Sequence, residues 1–269
     1  MPRLKRYLDE SKGVPIDTIW DDIRPVQAHS KERLGYPTQK PLKLLQRIIK
    51  ASSNPGDLVL DPFCGCGTAI EAAHQTGRKW AGVDISSFAV DLICQKRLPH
   101  VKVATKGIPF DHRSARKLAR EQPFSFESWA VTRLPGFAPN TKQRADGGVD
   151  GRATIARKPD NWKSRLALAQ VKGGKSSLSH LRDFIHVTQR DRAALGCFVT
   201  LDRFQTPASR KEATSLGKLR VTGNEYRRMN LWSIEEYFDD RLPPLPMMND
   251  PYSGKPISQK SLFSGGGWI

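Results

Sequence analysis

Asp57-Leu58-Val59-Leu60-Asp61-Pro62-Phe63-Cys64-Gly65-Cys66-Gly67-Thr68-Ala69-Ile70-Glu71-Ala72-Ala73 is the stretch on which the reading of this chain turns. Its first five residues form a short aliphatic run of the length expected of a buried parallel strand. A glycine loop follows, and Ala69-Ile70-Glu71-Ala72-Ala73 opens a helix that Gly77 closes. Working outward, Lys79-Trp80-Ala81-Gly82-Val83-Asp84 reads as a second strand, and Ser86 is placed to cap a helix running to about Arg97. On the other side, Pro41 suits a first helical turn, with Leu42, Leu45, Ile48 and Ile49 at helical spacing until Ser52-Ser53-Asn54-Pro55-Gly56. Alternation of this kind implies an α/β fold with a parallel sheet. A glycine loop between strand and helix brings backbone N–H groups and a helix N-terminus close to a ligand. Asp84 ends the second strand about 20 residues after Asp61, where nucleotide-binding folds place a carboxylate for ribose hydroxyls. A purely structural turn would produce a Gly-x-Gly loop equally well.

The wider phrase decides between these. Tyr36-Pro37-Thr38-Gln39-Lys40-Pro41, a helix, and then Asp61-Pro62-Phe63-Cys64-Gly65-Cys66-Gly67-Thr68 resembles the paired cofactor motifs of DNA adenine-N6 and cytosine-N4 methyltransferases, with Cys at the two variable positions. The resemblance implies a Rossmann-like segment that binds S-adenosylmethionine. It implies that Asp61, Phe63, Gly65 and Gly67 line the pocket, that Thr38 and Lys40 contribute from the preceding segment, and that Asp84 holds the ribose. An amino-acid moiety, a ribose and an adenine call for such carboxylates, backbone donors and an aromatic or apolar wall.

Enzymes of this family stack a flipped-out base on an Asp/Asn/Ser-Pro-Pro-Tyr/Phe loop. The one Pro-Pro here is Leu242-Pro243-Pro244-Leu245, with neither a polar acceptor before it nor an aromatic after it. Where the Pro-Thr-Gln-Lys-Pro motif comes late in such an enzyme, the catalytic loop and target-recognition region lie upstream. The chain is therefore expected to be the C-terminal part of such an enzyme, from a truncated or split reading frame or with a companion polypeptide, and not to methylate DNA alone.

A second α/β series follows. Phe124 to Leu134 reads as helix, Val149 to Ala156 and Leu166 to Lys172 as strands, Ser177 to Arg190 as helix and Gly196 to Leu201 as strand. A helix from Pro207 to about Leu216 and a short one at Ser233 to Phe238 complete it. Within it, Asp146-Gly147-Gly148-Val149-Asp150-Gly151 precedes Gln170-Val171-Lys172. Phosphodiester hydrolysis needs a divalent metal and a cation to stabilise developing charge. Asp150 and Gln170 can act as oxygen ligands; Gln170 and Lys172, two apart on a strand, share a face while Val171 points into the core. The pattern resembles the PD-(D/E)xK nuclease fold, particularly its Mrr-like restriction group. That resemblance implies a restriction-endonuclease-like α/β domain using Mg2+, with Asp150 as principal metal ligand, Gln170 as the second and Lys172 as catalytic lysine. Glu127 is either a further acid or an ordinary helix carboxylate. Gln in place of an acidic ligand lowers the local negative charge, so fold is the firmer expectation and activity the weaker.

Composition agrees. Forty-four Lys+Arg against 27 Asp+Glu give a net charge of +17, which points to double-stranded DNA as the polyanionic partner. Arg113, Arg116, Lys117 and Arg120 recur at helical spacing and either contact phosphate or form a solvated basic face. No stretch approaches the roughly 18 apolar residues of a membrane span, so a prokaryotic cytoplasmic location is expected. Four Cys are too few for a disulfide framework, and Cys64-x-Cys66 lacks a second pair at zinc spacing. The expected organisation is a methyltransferase segment over 1–110, a nuclease domain over 111–242 and a flexible tail over 243–269, rich in Pro, Ser and Gly. Two rivals remain: a non-catalytic DNA-binding remnant of a modification–restriction enzyme, and an RNA-binding accessory protein favoured by charge alone.

Overall fold

The computed structural model describes residues 19–27, 29–36, 38–140, 147–251 and 254–257. The first helix, α1 (Leu42–Ser52), follows Pro41 as expected. Strand β1 (Leu58–Asp61), helix α2 (Thr68–Gln75) and strand β2 (Lys79–Gly82) come next, and β1 and β2 pair in parallel from Leu58 opposite Lys79 to Asp61 opposite Gly82. Helix α3 (Ser87–Leu92) is capped by the Ser86 hydroxyl, which accepts from the Ala89 N–H at 3.4 Å, and it runs on through a π-helical turn, Ile93–Arg97. Leu42, Leu45 and Ile49 of α1 pack with Ala72 and Ala73 of α2 against Val59 and Trp80. The opposite face of this two-stranded sheet carries Leu58 and Leu60, and both are exposed.

The polar stretch before residue 120 folds as α4 (His112–Glu121), started by a reciprocal Asp111–Ser114 capping box. Ala115 and Ala119 are its buried stripe, which leaves Arg113, Arg116, Lys117 and Arg120 on the other side. Helix α5 (Pro123–Thr132) and strands β3 (Ala138–Pro139), β4 (Gly151–Thr154) and β5 (Leu166–Lys172) lead to α6 (Leu178–Arg190), β6 (Leu195–Thr200) and α7 (Pro207–Thr214). The chain then makes a hairpin of β7 (Lys218–Val221) and β8 (Asn224–Arg227), followed by β9 (Met229–Ser233), α8 (Ile234–Phe238), β10 (Met248–Asn249) and β11 (Pro256–Ile257). The main sheet has the order β3-β4-β5-β6-β9; β4 is antiparallel to β5, whereas β5, β6 and β9 are parallel.

Both faces of this sheet are covered. Val171, Val199 and Trp232 meet Phe126 and Trp129 of α5, while Leu168, Phe198 and Met229 meet Leu181 and Phe184 of α6. That explains why β5 and β6 are near-continuous apolar runs. Trp129 and Phe126 are thus core residues.

Three features depart from the sequence expectation. The strand expected over Val149 to Ala156 is paired only over Gly151–Thr154, although Val149 and Ile155 beside it are fully buried. The hairpin and β9 were not expected: polar residues interrupt their apolar alternation, and Asn230 in β9 satisfies its amide by donating to the Arg227 carbonyl at 3.2 Å. The segment from Pro243 is not a loose tail over its described part. Leu245 and Met248 are buried, the Ala156 N–H donates to the Met247 carbonyl at 2.8 Å, and Met248 bridges Ile155. Prolines keep this segment extended, so its apolar side chains can insert into the sheet's edge. Residues 252, 253 and 258–269 of the expected tail lie outside the described residues.

The two parts meet at a buried ion pair. Arg133, just after α5, pairs with Asp91 of α3, and its guanidinium lies 5.7 Å from the Trp129 ring and 5.8 Å from the Tyr237 ring. Burial pushes the Asp91 carboxyl up against the pull of Arg133, and Asp91 Oδ1 has no hydrogen-bond partner.

Candidate active sites

The first site is the loop between β1 and α2. Asp61 Oδ1 accepts from the Phe63 N–H at 3.1 Å, the Cys64 N–H donates to the Val83 carbonyl at 2.9 Å, and the Gly67 N–H to the Cys64 carbonyl at 2.8 Å. Strand β2 stops at Gly82, short of the expected end at Asp84, and Asp84 closes the turn from just beyond it: Oδ2 accepts from Gly65 N–H and Oδ1 from Ser86 N–H, both at 2.8 Å. One carboxylate thereby fixes both the glycine loop and the start of α3. Each oxygen keeps a second lone pair, so ribose hydroxyls remain within its capacity.

The two glycines are needed for different reasons. Gly65 has φ +49°, and a Cβ there would lie 3.2 Å from Tyr36 Cε1; Gly67 has φ +77°, and a Cβ would overlap Ile93 Cγ1. From the π-helical turn, Arg97 reaches back to the same loop. Its Nε donates to the Cys66 carbonyl at 3.0 Å, Nη2 to Thr68 Oγ1 at 3.1 Å, and Nη1 to Glu71 at 2.6 Å.

Asp61, Phe63, Gly65, Gly67 and Asp84 are therefore brought together, with Phe63 turned outward to solvent. Thr38 and Lys40 are exposed, and Lys40 Nζ donates to the Thr38 carbonyl at 3.4 Å. The residue of their segment that touches the loop is Tyr36, whose ring stacks on Phe88 at 6.4 Å and 19°. Gln39 shapes the segment: its Oε1 accepts from Leu34 N–H at 2.8 Å and its Nε2 donates to the Glu32 carbonyl at 2.6 Å. Tyr36 and Gln39 stand inside the quoted motif, so their position was the available signal. Phe88 and Arg97 gave none, because a ring and a cation on a helix are ordinary. Burial, then Asp84 and Asp61, push the Cys64 thiol up to about 11, and burial beside Asp84 raises the Tyr36 phenol. Cys64 is thus a neutral packing residue of the loop.

The second site lies where β4 meets β5. The Asp150 N–H donates to the Ala169 carbonyl at 2.9 Å, which carries the register one step past Gly151 opposite Ala169 and sets Asp150 against Gln170. Asp150 Oδ2 accepts from Val171 N–H at 2.7 Å. Gln170 Nε2 donates to the Gly148 carbonyl at 3.0 Å, which fixes the amide's orientation and leaves Oε1 buried without a partner. A buried acceptor in that state is costly unless something electropositive meets it. Val171 points into the core, as expected. Lys172, at the end of β5, shares a groove with Glu127, Arg116, Arg120 and Lys175. Glu127 is therefore placed with Lys172, whereas Asp150 and Gln170 pair with each other across β4 and β5 and do not line that groove. Among the described residues no three His, Cys, Asp or Glu side chains converge as a metal cluster. The pair here is one carboxylate and one amide. Asp146 lies outside the described residues.

A glycine-loop cradle between β1 and α2 is thus joined to a second, five-stranded mixed α/β sheet. Comparison with known proteins makes this specific: residues 2–95 match the family model described as DNA methylase and residues 118–229 that described as restriction endonuclease, so the two family models match in tandem. The type II methyltransferase M.EcaI of Enterobacter cloacae is 42% identical over 95 residues, 35% of this chain and 21% of that protein. The DNA adenine methyltransferase YhdJ of Escherichia coli K12 is 43% identical over 102 residues, 38% of this chain and 31% of that protein. Among solved structures, a Thermus thermophilus protein in complex with S-adenosyl-L-methionine is 38% identical, with 22% of this chain and 24% of that one covered and a TM-score of 0.21. The chain spans about a fifth to a third of the length of the curated relatives it matches.

Proposed function

We propose that residues 1–110 bind S-adenosylmethionine as the cofactor-holding segment of a DNA adenine-N6 or cytosine-N4 methyltransferase, and that residues 111–242 cleave DNA with Mg2+. The observation that carries the first half is the clamp of Asp84 on Gly65, which holds a left-handed glycine loop open at the foot of α2. In this reading Asp84 orients the ribose, Gly65 and Gly67 admit the cofactor's polar groups to backbone N–H donors, and the Tyr36–Phe88 stack forms the aromatic wall. The base-stacking Pro-Pro-Tyr/Phe loop is not found in residues 1–269, so in this reading base methylation depends on that loop being supplied from outside them.

For the second half, the unpartnered Gln170 Oε1 opposite Asp150 fits a hard cation, which takes oxygen ligands. Asp150 and Gln170 would hold Mg2+, which when bound polarises the phosphodiester and activates water. Lys172 stabilises negative charge developing on the phosphate. The +17 charge and the basic face of α4 draw double-stranded DNA towards the groove. Among the described residues no helix is long and apolar enough to cross a membrane, and we place the protein with the DNA in the bacterial cytoplasm.

The test is calorimetric titration with S-adenosylmethionine beside an Asp61→Ala/Asp84→Ala variant whose folding is checked by circular dichroism. Micromolar binding, worth about 8 kcal/mol, is expected in the wild type and not in the variant. No binding by the wild type would leave the non-catalytic DNA-binding remnant for this half.

A further inference from the structure

A second concentration of positive charge lies away from both sites. The loop between β4 and β5 and the hairpin of β7 and β8 fold onto each other: the Asp160 N–H donates to the Arg220 carbonyl at 2.6 Å, the Arg220 N–H to Asn161 Oδ1 at 2.7 Å, and the Gly223 N–H to Asp160 Oδ2 at 3.2 Å. The buried Arg228 guanidinium lies 3.6 Å from the centre of the Trp162 ring, which fastens the loop to the end of the hairpin. Residues 157–165 and 218–227 of this joint surface carry seven cations and two carboxylates. Both carboxylates are engaged: Asp160 holds the hairpin turn, and Glu225 accepts from Lys218 Nζ at 2.8 Å and Arg220 Nη2 at 3.2 Å. Arg157, Lys158, Lys163, Arg165 and Arg227 are exposed and, among the described residues, in no ion pair. Leu219 and Val221 are buried beneath the hairpin, so Lys218, Arg220, Glu225 and Arg227 share its outward face. There Lys218 stands directly opposite Arg227, a like-charge pairing that is destabilising by itself and that an overlying anion relieves. A Cβ at Gly223 would meet no atom within 4 Å, so the hairpin tip stands clear.

We propose that this surface is a second contact for double-stranded DNA, which grips phosphates of the duplex apart from the point of cleavage. The proposal rests on the DNA reading above and adds a binding site to it. The loop leaves β4 after Thr154 and enters β5 at Leu166, whereas Asp150 and Gln170 stand at the other end of the same strand pair, with Gln170 about 13 Å from Leu166 along β5. On α4, Arg116 is bound to Asp202 and Arg120 to Glu121, so part of that basic face is already neutralised, and the loop and hairpin hold cations that are not. A two-stranded antiparallel ribbon fits the major groove of a duplex, with phosphates on either side of it. Cations without an internal partner displace the counterions of DNA when they meet its phosphates, so each contact adds to the salt dependence of binding.

The experiment is fluorescence anisotropy of the full chain with a labelled duplex of about 30 base pairs, without divalent metal, over about 50–200 mM salt. Lys158→Gln/Lys163→Gln/Arg227→Gln, its fold verified by circular dichroism, is expected to bind about tenfold or more weakly and to flatten the slope of log affinity against log salt by about 2–3, at roughly 0.9 for each lost phosphate contact. A control that removes the same charge elsewhere, Lys31→Gln/Lys50→Gln/Lys79→Gln, is expected to flatten it by less than half as much. An unchanged slope in the first variant overturns the proposal, and so do equal losses in the two, which would make the effect one of net charge. Tighter binding of an RNA duplex of the same sequence would give the surface to RNA and overturn it as well. Because binding is read without metal, a chain that fails to nick plasmid in Mg2+ would sink the cleavage reading and leave this result standing. Where nicking is seen, the first variant should raise KM and leave kcat unchanged.

Discussion

The two sheets of this chain are built from the same vocabulary and reach different ends. Strand β5, Leu-Ala-Leu-Ala-Gln-Val-Lys, is buried on both faces between α5 and α6, and strand β1, Leu-Val-Leu-Asp, is covered on one. Each reads in sequence as a short aliphatic run before a functional loop. The difference lies in the layers that the rest of the chain delivers: α4, α5 and α8 on one side of the main sheet and α6 and α7 on the other, against α1 and α2 on a single side of β1–β2. A closed sheet can position chemistry by its own core, whereas an open one holds a ligand loop but leaves part of its surface to be completed.

The largest test of that contrast is a pair of matched truncations. Leu168→Ala removes a fully buried side chain from the closed sheet and is expected to cost about 2–5 kcal/mol in urea unfolding. Leu60→Ala, on the open face, is expected to change stability by no more than about 0.5 kcal/mol. Equal losses would show that the face is covered in solution.

A second test sharpens the functional side. If the closed sheet carries its own chemistry, the full chain should nick supercoiled plasmid in Mg2+ without a partner, and Lys172→Ala should lower the rate about 100-fold or more, roughly 2.7 kcal/mol or above, by removing the cation in the groove. The same substitution should leave S-adenosylmethionine titration unchanged, since Lys172 lies on the far part of the chain from the cradle. Cleavage that is indifferent to Lys172 would remove it from the reaction.

Most of this architecture was legible because local signals agreed with it. Asp61-Pro62-Phe63-Cys64-Gly65-Cys66-Gly67-Thr68 combined a strand end, two left-handed glycines and a helix start within eight residues, and the structure assembles all three. The Gln170-x-Lys172 pattern placed Val171 inward on period-two grounds alone. What stayed hidden was decided at long range. Strand β9 is shown to be a strand by β6 beside it, and Leu245 and Met248 become core residues only because distant residues of the main core pack around them. Arg97 could not be assigned to the cradle, because its role depends on a π-helical turn that redirects it onto Cys66 and Thr68. The bare face of β1 was invisible for the opposite reason: Leu58 and Leu60 read as buried, yet they are exposed because, among the described residues, α1 and α2 both pack on the other face, which local sequence does not encode.

The smallest effect concerns the cradle's own rigidity. Burial and two neighbouring carboxylates push the Cys64 thiol up to about 11, so the loop that holds a cofactor in the open part of the molecule should still be closed around its sulfur. Raised ionisation of an acid favours its protonated form in the folded state. Full stability is therefore present below the ordinary thiol range and declines as pH rises through that range towards 11, because only the unfolded chain gains by ionising. Alkylation with iodoacetamide, read by peptide mass spectrometry, should label Cys64 slowly at pH 8, accelerate as pH approaches 11, and become fast at pH 8 in urea. Labelling of native Cys64 at pH 8 at the rate of the unfolded chain would mean that the Asp84–Gly65 clamp opens freely. The contrast between the two sheets would then extend from their surfaces to the loop itself, which would have to close as the cofactor binds.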